Sequence, residues 1–336
     1  MLTQQLELTN EQTSPLFRIM WIHNMNEPNR RHYDNNICAF HIGNGLILSV
    51  AHNLRTEAQL FKSIDESIFS TAILPFLNQE QILLFNQWYP FDPGTNKRYI
   101  NIPDQKDIPK VVEILKQINF DTRWLTLMQK NICKPYLIVQ FKNNQFYNDA
   151  NLTSCFNPST CFHEPGLNRY TFLLELELVE PFYNEDIALY RIINAPPEII
   201  QRMPSLEVDC SILSDTQTDY YCLQSSPNSE VGKLLNKAQI EGYLEHFNIF
   251  NDRFGGNYTF EGTRYMIKGY FRFGSSGAPY VFFDRGTSSF KVNAIQSEAC
   301  PLQLTIDNKK EGNFQYINAI ATPLNIIGDR LRGYME

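Results

Sequence analysis

The chain has 336 residues, 43% of them hydrophobic and 19% charged, so it can bury a core and is not disordered by composition. Its formal net charge of −7 excludes broad nucleic-acid binding, which needs a basic surface. Its seven cysteines, at 38, 133, 155, 161, 210, 222 and 300, form no CxxC pair. They fit reduced thiols in a reducing compartment better than a disulfide scaffold or a cysteine-rich zinc site.

The length allows one large domain or two ordinary ones. The stretch from Met1 to Pro15 is polar and lacks the basic start and apolar centre of a signal peptide. No apolar run approaches the length of a bilayer crossing. The expectation is a cytoplasmic protein without membrane contact, in which the sequons at Asn151 and Asn257 are chance matches. Leu16–His23 is a strand-like run of bulky residues, followed by a polar turn over Asn24–Asn35. Ile37–His41 and Leu46–Val50, separated by Gly43-Asn44-Gly45, read as a hairpin.

From about Thr56 to Asn131 the texture turns helical. Leu60, Phe61, Ile64, Ile68 and Phe69 recur at spacings of three and four, and so do Val111, Val112, Ile114, Leu115 and Ile118. Asp107 and Pro109 suit the cap and first turn of the second helix. A turn-rich loop, Pro90–Pro103, lies between. Strand patterns return at Tyr136–Phe141, Tyr170–Val179, Ile187–Ile193, Tyr220–Leu223, Arg264–Tyr270, Tyr280–Phe283, Lys291–Gln296 and Phe314–Ala321. Pro323–Arg332 reads as a closing helix. Many short strands with turn punctuation predict an antiparallel sandwich or barrel, with a helical block inserted in the first half.

Three segments carry chemistry together. In Gly45-Leu46-Ile47-Leu48-Ser49-Val50-Ala51-His52-Asn53 a histidine ends an apolar run. In Glu185-Asp186-Ile187-Ala188-Leu189 an aspartate opens one. In Gly274-Ser275-Ser276-Gly277-Ala278-Pro279 a serine sits in a glycine-rich turn. A serine hydroxyl is a poor nucleophile until an imidazole takes its proton, and a buried carboxylate keeps that imidazole in the useful tautomer. Glycines around the serine let main-chain N–H groups converge on an oxyanion, worth about 3–4 kcal/mol per donor. None of the six histidines follows Ser276, which excludes the nucleophile–acid–base order of an α/β-hydrolase at that serine. Each segment alone also reads blandly: a satisfied structural histidine, a turn aspartate, a turn serine.

Taken together, SVAHN, EDIALYRI and GSSGAP resemble the histidine, aspartate and serine segments of the chymotrypsin-like (trypsin-fold) serine proteases, in that family's order. The resemblance covers about 16–55 and 134–332. It implies an all-β fold of two six-stranded antiparallel β-barrels, with a helical insertion in the first barrel and a C-terminal helix. The first barrel would span 1–185, carrying His52 and the insertion at about 56–131. The second would span 186–336, carrying Ser276 and the closing helix. The implied activity is serine endopeptidase. His52, Asp186 and Ser276 would form the triad, and the amides of Gly274 and Ser276 the oxyanion hole. Tyr270, Ser297, Glu298 and Ala299 would line the substrate site, and Ser297 could also support the Asp186 carboxylate. A protein or peptide substrate would add as an extended strand. No metal or cofactor is implied.

The departures also inform. Ser275 stands where zymogen-activated members have an aspartate, and Asn53 and Arg272 stand at positions often held by cysteine. The chain is therefore more similar to bacterial HtrA-type and glutamyl endopeptidases than to digestive members. His52 and Asp186 are 134 positions apart, against 90 from Asp186 to Ser276, so the surplus length belongs to the first barrel. Its Trp88, Tyr89, Phe91 and Trp124 would form a small core or a patch for a regulatory protein partner. A protease-fold scaffold, inactive until a partner engages it, remains the second reading.

Overall fold

The structure, a computed structural model, describes residues 1–10, 13–23, 32–52, 63–99, 114, 133–142, 161–164, 169–182, 185–195, 197–213, 219–225, 233–251, 256–269, 274–302, 305–306, 309–310 and 315–336. An N-terminal helix α1 (Leu2–Thr9) precedes β1 (Leu16–His23), β2 (His32–His41) and β3 (Leu46–Ser49). β1 buries Leu16, Ile19, Trp21 and Ile22. β2 begins earlier than the apolar run alone suggested. Gly43, Asn44 and Gly45 all have positive φ, the conformation that a tight β2–β3 connection requires and that glycine and asparagine supply cheaply.

The inserted segment holds β4 (Ser63–Asp65), a helical stretch over Glu66–Phe76, helix α2 (Gln79–Trp88), β5 (Phe91–Asp92) and β6 (Lys97–Tyr99). The first barrel resumes with β7 (Cys133–Lys142), β8 (Cys161–Glu164), β9 (Arg169–Phe182) and β10 (Ile187–Ile192). Its strands run β10-β3-β2-β1-β7-β9, and pairing of β9 with β10 closes the ring. β8 adds outside, on β9.

Helix α3 (Pro197–Arg202) leads to β11 (Glu207–Val208), β12 (Tyr220–Ser225), β13 (Lys233–Asn251), β14 (Gly256–Gly269), β15 (Pro279–Asp284), β16 (Ser289–Leu302), the short β17 (Thr305–Ile306) and β18 (Lys309–Lys310), and β19 (Gln315–Pro323). The order β16-β15-β12-β13-β14-β19 closes through β16–β19, and β11 joins β16 in parallel. The fold is thus two closed six-stranded antiparallel barrels, as the chymotrypsin-like resemblance implied. A 3₁₀ turn, Leu324–Ile327, and helix α4 (Gly328–Met335) end the chain, three residues beyond the expected helix.

Three particulars correct the sequence reading. β10 pairs with β3 and β9, so the first barrel extends through Ile192 and does not stop at 185: an apolar strand next to a boundary can serve either side. Ile64 lies in a strand rather than a helix, and β5 and β6 form a hairpin inside the expected loop. β13, 19 residues long, is an additional strand: exposed Lys237, Gln239 and Glu241 alternate with buried Ala238 and Ile240, but Ala238 and Gly242 on the inward side are small and carry little strand preference. The second expected helix, around Val111–Ile118, lies outside the described residues apart from Ile114.

By its contacts the chain forms two compact units, one of 1–50, 134–247 and 261–336, the other of 51–133 and 248–260. In the second unit Phe69, Phe85, Trp88 and Tyr89 are buried. Phe85 packs 6.4, 6.0 and 5.9 Å, centroid to centroid, from the other three. Trp88 and Tyr89 are therefore core, Phe91 is 43% exposed, and Trp124 lies outside the described residues. An Asn78–Gln81 capping box starts α2. Among the described residues no helix is long and apolar enough to cross a membrane.

Candidate active site

β3 and β10 form one antiparallel ladder in which Ser49 partners Ala188. Asp186 enters that ladder from a turn, with φ 57°, a left-handed conformation that aspartate tolerates better than most residues. It is completely buried. A buried carboxylate is costly unless hydrogen bonds or cations compensate it. The Ser297 hydroxyl donates to Asp186 Oδ2, from a position where β16 bulges between Gln296 and Glu298. Arg264, on β14, is also completely buried. Burial pulls its guanidinium below the usual value, and the negative charges of Asp186 and then Glu185 oppose that shift. Arg264 escaped the sequence reading; the available signal was an arginine inside an apolar strand.

The Gly274–Gly277 turn is pinned mainly through its main chain. Cys38 N–H donates to Ser276 O at 2.9 Å, Gly277 N–H to Gln296 O at 2.9 Å, and Ala278 N–H to Ser275 O at 2.8 Å. The turn thus hangs between β2 and β16. Gly274 and Gly277 have φ of 84° and 85°. A Cβ on Gly277 would fall 2.0 Å from Cys38 O and 2.6 Å from Ser49 Oγ, so only glycine fits. Ser49 Oγ in turn donates to that Cys38 carbonyl at 2.7 Å. Ser276 is half-buried and Ser275 is buried.

His52 is half-buried, in the turn that follows β3, within the first residues of the second unit. His41 is a structural histidine. It is buried, its Nδ1 lies 3.1 Å from Pro204 O, and its Nε2 accepts from Gly45 N–H at 3.1 Å. Those bonds specify a neutral ring protonated at Nδ1. Burial lowers its pKa, against the opposing effect of its hydrogen bonds to the Pro204 and Met203 backbones. The side chains of the other four histidines lie outside the described residues.

Of the expected substrate-site residues, Ser297 is committed to Asp186. Glu298 is half-buried, and its carbonyl accepts from Gln296 Nε2 at 2.6 Å. Ala299 partners Ala319 in the β16–β19 ladder. Tyr270 lies outside the described residues. No group of three or more His, Cys, Asp or Glu is placed to hold a metal ion among the described residues.

No family model matches the sequence, and no curated protein matches it. Solved structures do. The chain is similar to the active form of the Rv3671c protease from M. tuberculosis at 10% identity, over 98% of this chain and 85% of that chain, with a TM-score of 0.44. The inactive form of the Rv3671c protease matches at 10% identity over 99% and 94%, TM-score 0.42. Deg5 matches at 9% identity over 98% and 92%, TM-score 0.43.

Proposed function

We propose that the chain is a serine endopeptidase acting on protein targets in the cytoplasm, with a His52, Asp186 and Ser276 triad. The observation that carries this reading is Asp186: a wholly buried carboxylate, held by Ser297, opening the strand whose ladder partner leads to His52. The chain leaves that ladder towards His52 and enters it from Asp186 at the same end. A serine in a turn with room for no side chain at Gly277 supplies the nucleophile.

Ser276 Oγ attacks the scissile carbonyl carbon while His52 takes the hydroxyl proton. The Gly274 and Ser276 N–H groups receive the oxyanion, and Asp186 stabilises the imidazolium. His52 then protonates the leaving amine. Water, deprotonated by His52, hydrolyses the acyl-enzyme and restores Ser276. Substrate runs as an extended strand beside Gln296–Ala299.

Labelling by a fluorophosphonate tests the reading. Wild type forms an adduct at Ser276, and Ser276→Ala and His52→Ala each slow labelling by about 10⁴-fold or more. Labelling that persists in Ser276→Ala overturns it. A correctly folded wild type that never labels favours the scaffold reading instead.

A further inference from the structure

We propose that Arg18 is a positioning residue, an internal strut that holds the Gly274–Gly277 turn in its working conformation. The inference rests on the protease reading and adds the device that keeps that site preorganised. The turn has firm main-chain ties at Ser276, Gly277 and Ala278. At Gly274 the tie is made by side chains. Arg18 and Cys38 are cross-strand partners on β1 and β2, and both reach the Gly274 carbonyl: Arg18 Nη2 at 3.4 Å and Cys38 Sγ at 3.5 Å. The other arm of the guanidinium, Nη1, donates to Ser225 O at 2.9 Å and Ser225 Oγ at 3.0 Å, at the end of β12.

One planar cation from the first barrel therefore ties a second-barrel strand to the residue that would supply an oxyanion amide. Guanidinium suits this role because its donors diverge in a fixed plane. Gly274, at positive φ and without a side chain, has wide backbone freedom of its own. A swing of its carbonyl breaks the Arg18 and Cys38 contacts together. Oxyanion donors act by being fixed before the reaction starts, so this freedom has to be removed.

The test uses the full chain and compares wild type with Arg18→Met and Arg18→Lys. Amide exchange followed by mass spectrometry reads the turn directly. In Arg18→Met the amides of 274–278 exchange faster by about tenfold or more, while β15 keeps its wild-type protection. With a peptide that wild type hydrolyses, kcat falls about tenfold to a hundredfold in Arg18→Met while KM stays within about twofold. Arg18→Lys retains more activity, and added methylguanidinium restores part of the Arg18→Met loss. Unchanged exchange at 274–278 overturns the proposal. So does faster exchange spread equally over β12 and β15, which marks general loosening. If wild type shows no Ser276-dependent turnover, the protease reading fails separately, and the exchange result still decides whether Arg18 holds the turn.

Discussion

At the Gly274–Gly277 turn, Gly277 meets β2 and β3 so closely that only a hydrogen atom fits as its side chain, and the ties are largely main-chain hydrogen bonds. In the inserted unit one long side chain does the organising. Arg98 meets Glu66 through Nε at 2.5 Å and Nη2 at 3.0 Å, Asn86 Oδ1 at 2.9 Å and Tyr89 O at 3.1 Å, with its guanidinium 4.0 Å above the Phe69 ring. A long ladder repeats its hydrogen bonds at each residue and can fix Gly277 by close approach, leaving Gly274 as the point of the turn that side chains tie. A short three-stranded sheet and a ten-residue helix offer few such bonds, so a five-donor cation that satisfies several loops at once takes their place.

Gly277→Ala is the harshest way to break the first of these arrangements. The added methyl meets a carbonyl oxygen, not a movable side-chain end, and alanine resists the positive φ. Overpacking and left-handed strain together cost about 2–5 kcal/mol. We expect the urea midpoint to fall and Ser276-dependent labelling to vanish. A variant that keeps wild-type stability would show that β2 and the turn can separate freely.

Arg98→Met breaks the second arrangement and spares the first. It strands the Glu66 carboxylate, whose side chain is 26% exposed. The expected cost is about 2–3 kcal/mol, below the 3–5 of a fully buried pair because water still reaches Glu66. Amide exchange should rise across 63–99 and stay at wild-type rates in β12 and β15. Equal loosening of both would mean that the two units share one cooperative core.

The legibility of the chain follows the same divide. Where a strand alternates or runs apolar, as in LFRIMWIH and IALYRI, its residues announced it; β1 was read to its exact ends, and the barrels followed from the three motifs. Asp186 and Ser276 stood out because the proposed triad calls for particular residue types at strand boundaries. Arg18, Arg264 and Cys38 were not. Their importance lies in what faces them from segments up to 256 positions away, and no local pattern records that. β13 is hard to read because its inward side carries the small Ala238 and Gly242, which have little strand preference. The β5–β6 hairpin hid because FDPGTNK is turn chemistry on both sides.

That hairpin has a counterpart that sharpens the comparison. In FDPGT, Asp92 Oδ1 accepts from Gly94 N–H at 2.9 Å and Oδ2 from Thr95 Oγ1 at 3.0 Å. In FDRGT, Asp284 does the same with Gly286 at 2.8 Å and Thr287 at 3.0 Å. Asn96 and Ser288 close the two turns with φ of 55° and 54°. The barrel copy adds Lys291, whose Nζ lies 3.0 Å from Asp284 Oδ2 and 3.0 Å from Glu207 Oε1. The Lys291 hydrogen bond first, then Gly286 and Thr287, lower the Asp284 carboxyl to about 2. A depressed carboxylate stabilises the fold fully above its ordinary value of 3.8 and loses that contribution as pH falls through about 2. A carbon-detected NMR titration should therefore place the Asp284 midpoint near 2 in wild type and raise it in Lys291→Met, with the Gly286 amide bond still formed. An unmoved midpoint would assign the shift to the hydrogen bonds of the turn alone, without Lys291.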